Sequence, residues 1–447
     1  MIGRNGSRRR STISMHALVK APSGMGGPTE PMEFVHLHTH SSYSPMWGVP
    51  TLEALCEAAR AQGQNTLALT DTNGLYGAIR FLDVAKQAGL KPILGAQVIH
   101  HDQRAVLLAK TPDGYANLCR LLSARHEDAG FNFIQAIASY RTGLVILSDD
   151  LSALTAWRNE AADDLYVELS PGSQMQEAMV FSRRMGVPAV ATTRPALLHQ
   201  SDFEGHRILR AIADNTTLSR LKPGRCCGPM NWMMPPAVIA RYVPHMPEAL
   251  SNTQRVAEQC HTDWDFTATM FPSFRQMASG EAFKALRTKT YDGAQWRYGS
   301  VSETVRERIE KELAVIREKR YADYFLVVDE IVRQAPRTCG RGSAAASVVS
   351  YCLGITHVDP IRHNLLFERF LNPGRHDPPD IDIDFPWDER AKILEWVFGR
   401  YGARQAAMVA NQNTLGLRAA LREIAKVHGL PAGEIGGGLA LLHRRAD

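Results

Sequence analysis

Between residues 33 and 193 the hydrophobic residues follow two spacings in turn, one typical of strands and one typical of helices. Apolar runs of strand length are followed by stretches whose apolar positions recur at helical spacing. The runs predict strands at Phe34–His38, Thr66–Thr70, Pro92–Val98, Ala105–Ala109, Leu144–Leu147, Leu165–Leu169 and Ala189–Ala191. The stripes predict helices at Leu52–Gln62, Ala78–Ala88, Tyr115–Arg125 and Gln174–Met185. Because strand and helix repeat as a unit, the pattern predicts an α/β fold with a parallel sheet closed into a barrel.

The pattern changes after residue 200. Helical signals interrupted by prolines continue to about Thr290, and a clear helix is predicted from Ser300, which has capping-box spacing to Glu303. Its apolar stripe consists of Val305, Ile309, Leu313 and Ile316, and its charged residues are expected to face solvent. A further helix, capped by Asp388, is predicted up to about Arg400.

Three carboxylates alternate with apolar residues near position 382. Successive side chains of a strand point to opposite faces, so Asp380, Asp382 and Asp384 share one face. Ile381, Ile383 and Phe385 occupy the other face and can be buried. Like charges on one face repel, so the arrangement favours a cation, and carboxylate oxygens are ligands that suit Mg²⁺.

A glycine-rich segment, Gly340–Ser347, lies about forty residues earlier and leads into an apolar run. Backbone N–H groups at such a helix start can bind an anion, with Ser343 as a candidate cap and Arg341 as a candidate phosphate ligand. Arg369 offers a second cation. Each motif alone is typical of an ordinary turn or a solvated edge strand, whereas their combination predicts a phosphoryl-transfer site.

Composition narrows the class of protein. The 447 residues, 45% of them hydrophobic, suffice for two or three domains, and the net charge of +5 permits a nucleic-acid partner without demonstrating one. The seven cysteines contain no C-x-x-C pair, which argues against a zinc ribbon or a disulfide framework and fits a cytoplasmic protein. Apolar runs stay far below the 18 residues of a membrane span, so no membrane partner is expected.

The motifs CGRGSAAAS (339–347), LLFERFLNP (365–373) and PDIDIDF (379–385) resemble the palm of family C DNA polymerases, the alpha subunits of bacterial DNA polymerase III, above all the error-prone paralogues. The arginines and the Gly- and Pro-rich start predict a basic disordered leader at 1–32. The resemblance implies a PHP-like (β/α)7 barrel at 33–200, followed by a helical connector at 201–298. It further implies a partial, nucleotidyltransferase-like palm at 299–407 and a truncated start of the thumb at 408–447.

The resemblance also implies functional roles. Asp382 and Asp384 would be catalytic and hold Mg²⁺, while Asp380 would be structural. The phosphates of a dNTP would be contacted by Gly342, Ser343, Arg369 and Arg341. A third carboxylate is expected beyond position 447, so this N-terminal portion would be inactive alone. The expected partners are a DNA primer–template and dNTPs, with the sliding clamp and other polymerase subunits bound through segments beyond it.

The barrel departs from the family pattern. His38 and His40 match the family's first pair of metal ligands, but the other ligand positions are changed. The residues found there are Trp47, Thr72, Gln97, Arg104 and Ala196. Because these side chains cannot complete a polynuclear site, we expect the PHP metal to be absent and the barrel site to be degenerate.

The sequence leaves three functions open. The leading hypothesis is metal-dependent nucleotidyl transfer by an error-prone or translesion DNA polymerase in replication and repair. A metal-dependent PHP phosphoesterase or 3′–5′ exonuclease is the second, supported by His38 and His40 and opposed by the changed ligand positions. The third is a truncated, non-catalytic scaffold.

Overall fold

The computed structural model describes residues 34–172, 174–261, 271–335, 337–372, 374, 379–409, 411 and 413–436. The predicted leader at 1–32 and the last residues of the predicted thumb segment, 437–447, lie outside the described residues. The chain divides into two compact units, one comprising residues 1–264 with 415–447 and the other residues 265–414.

The first unit contains a six-stranded sheet in which neighbours along the chain are neighbours in the sheet. Its strands are β1 (Thr66–Leu69), β2 (Lys91–His100), β3 (Gln103–Ala109), β4 (Leu144–Ser148), β5 (Leu165–Leu169) and β6 (Ala189–Ala191). β1 and β2 run parallel, as do β4, β5 and β6, whereas β3 is antiparallel to both of its neighbours. The sheet is therefore mixed.

The expectation of a fully parallel sheet was wrong at β3. Only His101 and Asp102 separate β2 from β3, and His101 adopts a left-handed φ of 53°. A parallel crossover needs a dozen or more residues, so a link this short can only make a hairpin. The short gap between the two predicted strands was already sufficient to predict a hairpin.

The sheet curls so that one face encloses a core. Alternate residues of most of its strands meet there, among them Ala68, Val106 and Val190. Val35 and Leu37 join this cluster. The predicted strand at Phe34–His38 is not a regular strand, although the carbonyl of His36 accepts a hydrogen bond from the backbone of β1.

The α-helices up to residue 259 are α1 (Leu52–Ala61), α2 (Ala78–Gln87), α3 (Pro112–Glu127), α4 (Phe133–Tyr140), α5 (Leu151–Glu160), α6 (Met175–Met185), α7 (Phe203–Ala213), α8 (Pro236–Ile239) and α9 (Glu248–Gln259). Helices α1 to α6 pack on the outer face of the sheet, whereas Val256 and Ala257 of α9 join the enclosed core. The helices predicted between residues 52 and 185 all form within a few residues of the expected bounds. In α1, Leu52, Leu55, Cys56 and Ala59 are buried at helical spacing, and Thr51 caps the first turn.

The second unit is mainly helical and carries a two-stranded ribbon. Its elements are α10 (Ser279–Tyr298), α11 (Glu303–Glu318), α12 (Ala322–Val332), β7 (Cys339–Arg341), α13 (Val348–Cys352), β8 (Asp382–Asp384) and α14 (Arg390–Tyr401). The last helix, α15 (Leu417–Val427), belongs to the first unit and packs on α7. Among the described residues, no helix has the length and apolar character needed to cross a bilayer.

The predicted caps in the second unit were wrong by one or more positions. Ser302, not Ser300, caps α11, and Glu389, not Asp388, precedes α14. Ser347, not Ser343, caps α13 by accepting a hydrogen bond from the backbone N–H of Ser350. Serine and aspartate are common close to helix starts, so the local sequence alone leaves the position of the cap open.

Candidate functional site

Strands β7 and β8 form an antiparallel ribbon, the β7–β8 ribbon, that joins the two sequence motifs. Cys339 lies opposite Asp384, Gly340 opposite Ile383, and Arg341 opposite Asp382. Asp382 and Asp384 are exposed, whereas Ile383 packs against the core of the second unit. The predicted alternation of acidic and apolar faces is confirmed, and one exposed face carries both carboxylates beside Arg341.

Arg341 supplies a positive charge on this acidic face. Its Nε donates a hydrogen bond to Oδ1 of Asp384 at 3.0 Å. The two side chains are 63% and 60% exposed. An ion pair this exposed contributes at most about 1 kcal/mol, so Arg341 can exchange Asp384 for another anion at little cost.

Two glycines shape the turn that follows β7. A Cβ at Gly340 would lie 2.4 Å from the backbone oxygen of Ile355, so only glycine fits this close approach. Gly342 has a φ of 69°, in the left-handed region that other residues rarely adopt. A Cβ at Gly342 would lie 3.4 Å from Oδ2 of Asp382, which places this glycine directly beside the acidic face.

The start of helix α13 is already occupied by a carboxylate of the protein. Glu312 of α11, fully buried, accepts hydrogen bonds from the backbone N–H groups of Val348 at 3.0 Å and Val349 at 3.2 Å. It also accepts one from the hydroxyl of Ser347 at 2.7 Å. These donors at the start of α13 are satisfied within the protein, while the phosphate contacts of Gly342 and Ser343 stay a prediction.

Arg308 connects this buried carboxylate to two loops. Its Nε donates to Glu312 at 2.7 Å, while its Nη2 donates to the carbonyl oxygens of Ala346 at 3.1 Å and Leu365 at 2.9 Å. Arg369, predicted to contact phosphate, lies exposed in the short turn Phe367–Arg369 just after Leu365. Arg308 thus fixes the segment before Arg369 to the segment that follows Gly342 and Ser343.

The first unit contains a separate candidate site. A cavity of about 370 Å³ opens beside the sheet. Its lining includes His40, Trp47, Gln97, Arg104, Asp149, Glu168, Arg194 and Asn231. Of the predicted pair of histidines, His40 therefore lies at this cavity, and His38 is buried next to it.

The two histidines are held by hydrogen bonds within the protein. Their Nε2 atoms lie 3.1 Å apart, and Nδ1 of His38 lies 2.6 Å from Oε1 of Glu168. Burial, followed by the neighbouring His38, holds the pKa of His40 well below its ordinary value. His40 is therefore neutral at physiological pH.

The acidic groups beside the histidines are paired with arginines. Nη2 of Arg194 lies 2.8 Å from Oδ2 of Asp149 and 3.0 Å from Oε2 of Glu168. Arg104 donates two further hydrogen bonds to Asp149, at 3.0 and 2.6 Å. Arg104 was predicted to stand at a changed ligand position, and in the structure it is paired with a carboxylate.

Another acidic residue of the cavity region is also engaged. Asp71 accepts hydrogen bonds from the backbone N–H of Ser41 and from the hydroxyl groups of Ser41 and Ser44, at 2.6 to 2.8 Å. Burial raises the pKa of Asp71 to about 6. Among the residues that the structure describes, no cluster of three or more His, Cys, Asp or Glu side chains is arranged to hold a metal ion.

Two segments of the chain match known protein families. Residues 36–169 match the PHP domain, and residues 284–444 match the bacterial DNA polymerase III alpha NTPase domain. The chain is similar to both domains over these residues. The PHP-type α/β fold is thereby confirmed for the first unit, and the resemblance to DNA polymerase III alpha is confirmed for the chain. The domain boundaries at 200, 298 and 407 stay predictions, as do the roles of the ribbon residues.

Curated relatives match the chain over nearly its whole length. The error-prone DNA polymerase of Symbiobacterium thermophilum is 34% identical across 90% of this chain and 42% of its own length. The DNA polymerase III subunit alpha of Bacillus subtilis is 33% identical across 89% of this chain and 39% of its own length. The DNA polymerase III subunit alpha of Treponema pallidum is 31% identical across 90% of this chain and 39% of its own length. The chain spans about two fifths of the length of these relatives.

Sequence reasoning missed the buried ionic residues of both domains. Glu312 follows Val305 by seven positions, so it occupies the apolar stripe of α11, which was a detectable signal. Glu168 similarly interrupts the apolar run of β5. Their partners Arg308 and Arg194 carried no comparable signal, because an arginine is ordinarily expected at the surface.

Proposed function

We propose that this chain is the N-terminal part of a DNA-directed DNA polymerase of the DNA polymerase III alpha type, belonging to the error-prone branch. Its β7–β8 ribbon would contribute two metal ligands and nucleotide contacts to nucleotidyl transfer. The observation that carries the proposal is the exposed ribbon face, on which two carboxylates lie beside Arg341 and Gly342. The similarity of the chain to an error-prone DNA polymerase supports the choice of branch.

The ribbon residues fit a magnesium ion. Asp382 and Asp384 present oxygen ligands on one exposed face, and Mg²⁺ commonly uses one or two carboxylates together with water and substrate phosphates. When bound, the ion would supply charge stabilisation for the attacking and leaving oxygens. The protein's own part would be to hold the ligands on a strand that is anchored by Ile383.

Arg341 would act on the nucleotide rather than on the metal. In this structure it neutralises Asp384, which a metal ion would do instead once bound. The guanidinium is then free to pair with a phosphate oxygen, for which its forked donors are suited. Gly342 and Ser343 would line the approach of the phosphates, and Arg369 would add a second cation.

Partners and location follow from the same proposal. The chain would act on a DNA primer–template and dNTPs in the cytoplasm, in replication and repair. The sliding clamp and other subunits would bind segments beyond residue 447, where the third carboxylate is also expected. On this proposal the chain alone binds Mg²⁺ and dNTP but does not extend a primer, which distinguishes it from an inert scaffold.

A binding experiment tests the proposal. Calorimetric titration of the chain with a dNTP in the presence of Mg²⁺ should give a saturable signal. Gly342→Val should weaken binding at least about 10-fold, because its side chain would fill the space beside Asp382.

Gly402→Val is the matched control for this titration. Gly402 has a φ of 71° in the same unit and no heavy atom within 4 Å of its added Cβ, so it shares the backbone strain but not the site. Equal binding by wild type and Gly342→Val, or equal losses in both variants, would contradict the assignment of the loop.

The Arg341 ion pair predicts a difference between two variants. In metal-free buffer Asp382→Asn should be as stable as wild type or slightly more so, because it relieves repulsion between the carboxylates. Asp384→Asn should instead lose up to about 1 kcal/mol, since it also removes the partner of Arg341. Thermal unfolding with and without Mg²⁺ measures the stability of both variants. Identical stability of the two variants would show that the ion pair is not formed in solution.

A further inference from the structure

A tyrosine of α12 reaches the start of strand β8. The hydroxyl of Tyr324 accepts a hydrogen bond from the backbone N–H of Ile381 at 3.2 Å, one residue before Asp382. Tyr324 and Ile381 are partly buried, and both pack against the core of the second unit. The hydroxyl therefore holds the backbone at the point where β8 and its exposed carboxylates begin.

Helix α12 gives this tyrosine a fixed base. Phe325 and Leu326 of the helix are fully buried in the core of the second unit. The buried carboxylate of Asp329 accepts hydrogen bonds from Nζ of Lys289 at 2.7 Å and from Nε of Arg333 at 2.8 Å. Because core contacts and ion pairs both hold α12, the place of the tyrosine hydroxyl is set by the packed helices and not by the ribbon.

The β7–β8 ribbon depends on such an anchor. Its strands pair over three residues each, and a two-stranded ribbon is at best marginally stable by itself. At one end Arg337 pairs with Asp388 and Glu389, at 2.9 and 3.2 Å, but its side chain is 62% exposed, so these ion pairs contribute little. Tyr324 holds the opposite end, where Asp382 lies.

The hydroxyl of Tyr324 also feels the charges of the ribbon. Burial raises the pKa of Tyr324, and the nearby carboxylates of Asp380 and Asp382 raise it further, so the phenol keeps its proton at physiological pH. A phenol that accepts one hydrogen bond can still donate this proton to another group. Tyr324 can therefore hold the ribbon without adding a charge that would compete with a cation.

We propose that Tyr324 is a positioning residue of the β7–β8 ribbon, and that its hydrogen bond to Ile381 fixes the direction in which Asp382 presents its carboxylate to a divalent cation. The inference rests on the proposed function of the ribbon. It deepens that function by naming a residue that acts on the metal through the backbone of Ile381.

Tyr324→Phe tests the hydrogen bond directly. The substitution keeps the ring and its packing but leaves the N–H of Ile381 without its acceptor. A ligand that is already in place binds a metal more tightly than one that has to be ordered on binding. Calorimetric titration with Mg²⁺ at a fixed dNTP concentration should therefore show half-maximal binding at an about 5-fold higher Mg²⁺ concentration, the equivalent of about 1 kcal/mol.

The number of dNTP sites per chain separates positioning from general damage to the fold. At saturating Mg²⁺ this number should be the same for Tyr324→Phe and wild type, because the variant still forms the site once the metal has ordered it. A merely structural loss would reduce the number of sites and leave the Mg²⁺ concentration at half-maximal binding unchanged.

Two control variants locate the effect at the start of β8. Tyr298→Phe removes a hydroxyl of the same unit that donates to Asp359 at 3.0 Å, and Arg337→Ala removes the ion pairs at the other end of the ribbon. Both should bind dNTP with an Mg²⁺ dependence within about 2-fold of wild type.

Amide hydrogen exchange provides a measurement that needs neither metal nor nucleotide. In metal-free buffer the amide of Ile381 should exchange at least about 5-fold faster in Tyr324→Phe than in wild type, because it has lost its acceptor. The same amide should exchange at the wild-type rate in Tyr298→Phe.

The outcomes distinguish this inference from the proposed function. An unchanged Mg²⁺ dependence or unchanged Ile381 exchange in Tyr324→Phe overturns the inference alone, as does an equal shift of the Mg²⁺ dependence in Arg337→Ala. A wild-type chain that binds no dNTP at any Mg²⁺ concentration contradicts the proposed function and the inference with it. Binding that Asp382→Asn abolishes and Tyr324→Phe shifts to higher Mg²⁺ supports both.

Discussion

Replacing Asp382 or Asp384 by Asn should lower primer extension by at least about 100-fold in a chain that contains a complete palm. Each substitution removes a negatively charged ligand from the proposed magnesium site, and a catalytic metal contributes several kcal/mol of transition-state stabilisation. Because the chain spans two fifths of its relatives, the assay needs the remaining segments. A chimera that joins residues 1–447 to the following part of the Symbiobacterium thermophilum error-prone polymerase would provide them.

Asp380→Asn is the matched control for this experiment. Asp380 precedes β8 and is exposed like Asp382 and Asp384, but it is predicted to be structural. Its substitution removes the same charge at the same face and should leave extension within a few-fold of the parent chimera. Near-normal extension by Asp382→Asn and Asp384→Asn would refute the catalytic assignment, and an equal loss in all three variants would point to a general charge effect.

Glu312→Ala should destabilise the second unit by about 3–5 kcal/mol, the typical effect of removing one partner of a buried ion pair. The substitution leaves the Arg308 guanidinium without its partner and deprives the start of α13 of its acceptor. Urea unfolding gives the free energy, and hydrogen exchange of the amides in α11 and α13 would show whether the loss is confined to this unit.

Glu307→Ala is the control on the same helix. Glu307 is exposed, so its substitution should change the free energy of unfolding by no more than about 0.5 kcal/mol. Glu312→Gln should fall between the two, because the amide oxygen can still accept a hydrogen bond while the charge is lost. A loss below about 1 kcal/mol for Glu312→Ala would show that the buried pair contributes little to the stability of this unit.

Glu312 also narrows the part of this turn at which a phosphate could bind. The sequence Gly340–Ser347 followed by an apolar run is typical of a loop that leads into an anion-binding helix start. In the structure the anion is a side chain from another helix. The proposed phosphate contacts are therefore those of Arg341, Gly342 and Ser343, which precede this helix start.

The sequence by itself determined the elements and their exposed and buried faces. The strands from Thr66 onward formed where apolar runs predicted them, and Asp382 and Asp384 alternate with Ile383 as expected. Periodicity was sufficient here because side-chain direction in a strand or a helix depends only on local geometry.

Only the tertiary structure decided which charges meet. Asp149 and Arg194 are 45 residues apart in the chain, and Arg341 and Asp384 are 43 residues apart, yet each pair is in contact. Glu312 reaches the start of α13 from a different helix. No local period encodes such contacts, because they arise when the chain brings distant segments together and buried charges must then find partners.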